Sequence, residues 1–183
     1  MIITISGLPG SGKSTVAKML AKKLNYNFFS TGDLHGMIAK EKGITINQLM
    51  EEGKKNLNIH YEMDKRTKEI GEKKDNFVIE SWLAYHFIPH SYKIFLKVDE
   101  RTGIKRIMGD KREDEPTPKD INLALIQLKK RVRDSEEGFK KAYGINFLDE
   151  KNYDLIINTT NLAPEEVLKI AEQKIFEKTK NDS

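Results

Sequence analysis

The sequence predicts an α/β fold in which a five-stranded parallel sheet carries helices on both faces. Three observations predict it. Apolar runs alternate with helical stretches from one end of the chain to the other, the order expected when strands are joined by helical crossovers. The runs are only four to six residues long, the usual length of buried strands. Neither an internal repeat nor a linker rich in Pro, Gly or Ser divides the 183 residues, a length that suits one domain.

Taken in order, Ile2 to Ser6 is the first strand. A glycine-rich turn leads from it into a helix over Ser14 to Leu24, where Val16, Leu20 and Leu24 recur at helical spacing. Tyr26 to Ser30 reads as a second strand. Helical pattern then covers Asp33 to about Lys42, Ile46 to Gly53, and the heavily charged Ile59 to Lys73. Phe77-Val78-Ile79, Lys93 to Val98 and Tyr153 to Ile157 are the remaining strands. Between the last two lie a helix over Glu100 to Met108, a polar break from Gly109 to Pro118, and a long helix from about Lys119 to Ala142. Pro164-Glu165-Glu166 opens the final helix, with proline in the first turn and acids behind it. Residues from Lys178 to Ser183 are expected to fray. In sheets of this kind ligands bind beyond the carboxyl ends of the strands.

Composition narrows the function classes. Charged residues make up 33% and hydrophobic residues 38%, the balance of a water-soluble globular chain. The absence of cysteine excludes a disulfide framework, a thiolate zinc site and cysteine catalysis, and is compatible with a reducing, cytoplasmic setting. The N-terminus lacks the basic flank and apolar core of a signal peptide, and no uncharged apolar run approaches the length of a membrane span. The net charge of +4 is small, and the lysines alternate with acids, as in Glu51-Glu52-Gly53-Lys54-Lys55. A nucleic-acid stripe is therefore not expected.

One motif carries chemistry. Gly7-Leu8-Pro9-Gly10-Ser11-Gly12-Lys13-Ser14 fits G-x-x-x-x-G-K-[ST], directly after an apolar strand and directly before a helix. Its glycines let backbone N–H groups turn around phosphates, with added positive potential from the helix N-terminus. Lys13 would reach the β/γ-phosphates, the Ser14 hydroxyl would ligate Mg²⁺, and Thr15 follows at the helix start. The expected ligand is ATP with Mg²⁺. A GTPase is excluded, because Asp33-Leu34-His35-Gly36 follows the loop too closely to serve as D-x-x-G and no Asn-Lys-x-Asp segment exists. Glu80, at the end of Phe77-Val78-Ile79, is placed either to hold a metal-bound water or to face solvent.

Of the 32 basic residues only six are arginines, and five of these (Arg101, Arg106, Arg112, Arg131 and Arg133) lie between positions 101 and 133. Arginine's planar fork suits phosphate better than lysine's point charge, so a phosphate clamp is expected there. Arg106 and Arg112 flank the polar break, which has the composition of a flap. Arg131 and Arg133 lie two residues apart, about 200° around a helix, so one of them can readily face the site. Solvated helix faces paired with neighbouring acids are the other reading of these arginines.

These residues resemble the nucleoside monophosphate kinases, most closely the archaeal-type cytidylate kinases. The resemblance runs from Ile2-Ile3-Thr4-Ile5-Ser6-Gly7 through the P-loop, Ser30-Thr31-Gly32-Asp33-Leu34, Asn76-Phe77-Val78-Ile79-Glu80 and Lys93-Ile94-Phe95-Leu96. It continues through Tyr143-Gly144-Ile145-Asn146 to Tyr153-Asp154-Leu155-Ile156-Ile157-Asn158-Thr159-Thr160. It implies a three-layer P-loop kinase sandwich, a monophosphate-binding segment over about 33 to 66, a small lid near Gly109 to Pro118, and a monomer. The implied reaction is transfer of the γ-phosphoryl of ATP to CMP or dCMP with Mg²⁺, requiring no general base beyond orientation. On this reading Lys13, Arg112 and Arg131 serve transfer. Thr31, Gly32, Asp33, Trp82, Arg106 and Arg133 serve the acceptor, and Ser14 and Glu80 serve the metal.

The chain departs from the family pattern at three arginines, replaced here by Gly36, Trp82 and Gly138. The first two grip the acceptor monophosphate in similar kinases. His35 or Lys40 could supply one missing charge, and Trp82 could stack on a base or sugar or simply pack. His86 and His90 have i,i+4 spacing but are separated by Pro89 and read as loop histidines rather than a metal pair.

Overall fold

The computed structural model describes residues 1–53, 58–109 and 120–181. Its sheet has five parallel strands: β1 (Ile2–Gly7), β2 (Asn27–Ser30), β3 (Phe77–Glu80), β4 (Tyr92–Lys97) and β5 (Leu155–Asn158), in the order β2-β3-β1-β4-β5. The helices are α1 (Lys13–Leu24), α2 (Thr31–Lys42), α3 (Ile46–Gly53), α4 (Asn58–Lys73), α5 (Ala84–Phe87), α6 (Glu100–Gly109), α7 (Ile121–Tyr143) and α8 (Pro164–Asn181). The expected elements are all present with ends shifted by one or two residues. The single turn α5 and a 3-10 turn at Glu150–Asn152 are additions. Residues 179 to 181, expected to fray, continue α8. Apart from Gly109, which closes α6, the expected lid with Arg112 lies outside the described residues.

Strand parity builds the layers. Ile3 and Ile5 of β1, Val78 of β3, and Ile94 and Leu96 of β4 point to one face, where Val16, Leu20, Val167 and Ala171 of α1 and α8 cover them. Ile2, Phe77 and Ile79 point to the other face, under Leu34, Ile38, Leu49 and Met63 of α2, α3 and α4. Successive residues of a strand face opposite sides, and with helices on both sides neither face can be polar, hence the nearly continuous apolar runs. A third, aromatic cluster joins Leu83, Tyr85, Phe95 and Phe147 with Trp82, Phe139 and Tyr153. Among the described residues no helix is long and apolar enough to cross a membrane.

Local signals end the helices as the chemistry requires. Ser30 caps α2 by accepting from the Asp33 N–H, while Asp33 accepts from the Ser30 N–H at 2.7 Å. This reciprocal box accounts for the Ser-x-x-Asp spacing. Asp120 caps α7, and Gly144 closes it at φ +70.

Candidate active site

β1 sits in the middle of the sheet, paired with β3 on one side and β4 on the other, so the loop leaving it emerges at the centre of the strands' carboxyl ends. Gly10 has φ +75, and a Cβ there would meet the Gly103 carbonyl oxygen of α6 at 2.3 Å. Only glycine allows the loop to rest backbone to backbone on α6. Gly12, at φ +85, is the N-cap of α1 and delivers the first turn's unpaired N–H groups to the loop. Lys13 Nζ donates to the Leu8 carbonyl at 3.1 Å, which folds the amine back over the loop.

Glu80 has the parity of Val78, the face that α1 covers, so its carboxylate arrives over the start of α1. Ser14 Oγ donates to Glu80 Oε2 at 3.3 Å. The Thr31 hydroxyl donates to the Glu80 carbonyl at 3.4 Å, tying the start of α2 to the same strand end. Two hard oxygen donors, hydroxyl and carboxylate, thus meet beside the P-loop. The Ser11 hydroxyl is the one buried side-chain polar atom without a hydrogen-bond partner among the described residues. Such an orphan costs roughly 1–3 kcal/mol, a burden that folds tolerate mainly at working sites.

A cavity of about 1880 Å³ runs from this point across the carboxyl end of the sheet, larger than a pocket for one small ligand. One end is formed by Pro9 to Thr15 with Ile104, Arg106 and Thr159; Gly7 and Leu8 lie behind this surface. The other end is formed by α2, α3, α4, α5 and α7. Its charged or titratable lining residues include His35, Tyr61, Asp64, Arg131, Asp134, Lys141 and Tyr143.

Several expected acceptor residues are placed differently. Trp82 lines the cavity, with its ring engaged inside the protein. One side of its ring stacks on Phe147 (5.1 Å, 18°), Phe139 meets it edge-on, and the Arg131 guanidinium lies 5.8 Å from its centre. Its indole Nε1 donates to the Gly7 carbonyl at 3.2 Å. The tryptophan is therefore a post between the P-loop and α7 and a seat for Arg131. Asp33 is consumed by the α2 cap, and Gly32 is exposed and outside the cavity. Arg131 and Arg133 are both exposed; Arg131 lines the cavity and Arg133 does not. Lys40 is exposed outside the cavity; His35 lines it.

Arg106, expected at the acceptor, lies at the P-loop end. Its guanidinium donates to the carbonyls of Gly10 (3.5 Å), Thr159 (2.8 Å), Thr160 (3.3 Å) and Leu162 (3.4 Å) and to the Thr159 hydroxyl (3.2 Å). The same hydroxyl is 3.0 Å from the Ser11 carbonyl. Arg106→Ala is expected to lower stability by about 2–4 kcal/mol, and Tm by about 4–16 °C in thermal unfolding. Lysine should restore little, because a point charge cannot span these acceptors.

His86 lies in α5, edge-on to Phe87 and 6.0 Å from Tyr143. No group of three or more His, Asp or Glu able to hold a metal occurs among the described residues.

Residues 2–161, most of the chain, match a family model described as the cytidylate kinase-like family. The chain belongs to the cytidylate kinase-like family. A cytidylate kinase of Sulfurisphaera tokodaii is 34% identical over 172 residues, covering 94% of this chain and 93% of that one. A protein of Lacinutrix mariniflava named S-adenosylmethionine-dependent nucleotide dehydratase is 38% identical over 166 residues, which cover 90% of this chain. The chain spans about one third (34%) of that longer protein. Among solved structures, a shikimate kinase from Aquifex aeolicus superposes with a TM-score of 0.62 at 21% identity, covering 98% of both chains. The fold is that of the P-loop kinases. Family and fold together are those of a nucleotide-binding phosphotransferase.

Proposed function

We propose that this family member transfers the γ-phosphoryl of ATP to a nucleoside monophosphate, with CMP or dCMP as the preferred acceptor. The observation that carries the proposal is the meeting of Ser14 and Glu80 beside an intact P-loop, within a cavity of about 1880 Å³. The cytidylate kinase relative supports the acceptor class, and the dehydratase relative is also named for action on nucleotides.

Each step falls to a named group. Loop N–H groups between Gly10 and Ser14 bind the donor phosphates, and Lys13 swings from the Leu8 carbonyl to the β/γ-bridge. Ser14 and Glu80 fit Mg²⁺, a hard cation held by few protein oxygens. Bound there, Mg²⁺ would neutralise charge across the β- and γ-phosphates. Arg131, seated on Trp82, meets the charge that builds on the transferred group's equatorial oxygens. No general base is needed, since the work is positioning and charge neutralisation.

The test is a coupled assay of ADP formation from ATP and Mg²⁺ over CMP, dCMP, UMP and AMP. ADP formation that depends on CMP or dCMP is expected; no turnover with any of the four would sink the proposal. Glu80→Gln should raise the Mg²⁺ concentration for half-maximal rate at least about 10-fold, in keeping with loss of a metal-orienting carboxylate.

A second reading, a small kinase with a different acceptor, draws on the missing arginines at Gly36 and Trp82. It calls for turnover with a non-nucleotide hydroxyl acceptor alone. Tight ATP binding without transfer to any acceptor would instead indicate a regulatory ATP-binding protein.

A further inference from the structure

The first peptide of the nucleotide loop is held from both sides. Its carbonyl, on Gly7, accepts from Trp82 Nε1 at 3.2 Å, and its N–H, on Leu8, donates to the Leu96 carbonyl of β4 at 3.0 Å. Turning this peptide plane would orphan both groups. The next carbonyl, on Leu8, is thereby kept where Lys13 Nζ and the Ser11 N–H reach it, at 3.1 and 3.2 Å. Trp82 is itself fastened to β1, where Ser6 Oγ donates to its carbonyl at 3.3 Å.

The same side chain meets α7. Its ring is backed by Phe147, and the Arg131 guanidinium lies 5.8 Å from the ring centre, within the range of a cation–π contact. Arg131 is exposed, and an exposed arginine has many rotamers to lose when it is put to use. A ring that narrows them aims the guanidinium before substrate arrives. Because an indole is rigid, its N–H and its π-face keep one spacing, so a single plane relates the start of the P-loop to the arginine on α7.

We propose that Trp82 is a positioning residue with two separable tasks: its N–H sets the start of the P-loop for ATP, and its ring sets Arg131 for the transfer step. The second task rests on the kinase reading above, whereas the first asks only that the loop bind ATP. Phenylalanine keeps a ring without the N–H, and leucine keeps neither, so the two tasks can be removed in turn.

The test measures ATP affinity by calorimetry, and kcat at saturating ATP and CMP, for the unaltered protein, Trp82→Phe, Trp82→Leu, Arg131→Ala and the Trp82→Leu, Arg131→Ala double variant. Calorimetric stoichiometry counts the folded sites, so loss of folded protein does not pass for loss of rate. Trp82→Phe should weaken ATP binding about 3- to 10-fold, the worth of one hydrogen bond. Its kcat should fall about 2-fold at most, because a ring remains for the guanidinium. Trp82→Leu should weaken ATP binding as much and lower kcat about 3- to 30-fold, the worth of the cation–π contact. With Arg131→Ala already in place, Trp82→Leu should change kcat by less than about 2-fold, since the group it positions is gone. Trp82 is the single tryptophan of the chain, so its emission reads the same contact with the ring intact. ATP with Mg²⁺ should alter that emission in the unaltered protein and alter it less in Arg131→Ala.

Effects of Trp82→Leu and Arg131→Ala that multiply in the double variant overturn the action on Arg131 and leave the kinase reading intact. Should Trp82→Leu fail to fold, emission that responds to ATP identically with and without Arg131 overturns it in the same way. Unchanged ATP affinity in Trp82→Phe overturns the action on the loop. Absence of transfer to any nucleotide by the unaltered protein overturns the kinase reading and the second task with it, while the calorimetry of Trp82→Phe still decides the first.

Discussion

Lys13→Ala is expected to lower kcat/KM for phosphoryl transfer about 10²- to 10³-fold, the loss seen when one preorganised electrostatic donor is removed from a developing charge. That corresponds to about 3–4 kcal/mol of transition-state stabilisation. Lys13 opens α1 and its amine rests on the Leu8 carbonyl. Loss of that bond should change stability by only about 1 kcal/mol. Steady-state kinetics beside thermal unfolding will separate the two effects. A collapse of activity with Tm shifted by only a few degrees is the expected pair of results. A rate within threefold of the unaltered protein would remove Lys13 from the mechanism.

Phe147→Ala should have the largest effect on stability, about 3–5 kcal/mol, with Tm falling by about 6–20 °C. Phe147 is fully buried, stacked on Trp82 and edge-on to Phe139. Removing it leaves a void under the indole that carries Arg131. Activity assayed well below the new Tm should therefore show kcat reduced more than KM for ATP, because the P-loop glycines are untouched. Phe147→Leu should recover much of the stability. A Tm lowered by less than about 2 °C in Phe147→Ala would contradict the packing described.

Much of the fold was legible because its signals are local. β1, β3 and β4 announce themselves as short apolar runs, and the capping box at Ser30 and Asp33 can be read from spacing alone. The same box assigns Asp33 to its helix, a role obscured when the Ser-Thr-Gly-Asp segment is weighed only by family resemblance. The strand order was not legible, since it is set by pairing between β1, β3 and β4, which lie far apart in the chain. The helix α5 is one turn, too short to show a period.

At the site, the P-loop and the strand-end Glu80 were readable because one is a motif and the other follows from strand parity. Trp82 was not, because the residues that occupy its ring, Phe139, Phe147 and Arg131, come from much later in the chain. The clustering of arginines pointed to the phosphate region. It could not separate Arg106, spent on backbone carbonyls, from Arg131, which lines the cavity.

The clasp of Arg106 and Thr159 on the carbonyls of Gly10 and Ser11 has a consequence for biosynthesis. The nucleotide loop is synthesised about 150 residues ahead of the last group that holds its shape, the carbonyl of Leu162. A nascent chain shorter than that carries every P-loop residue without the clasp. The final shape of the loop thus waits on the docking of β5 and the turn that follows it, so a formed P-loop also reports that this later segment has folded.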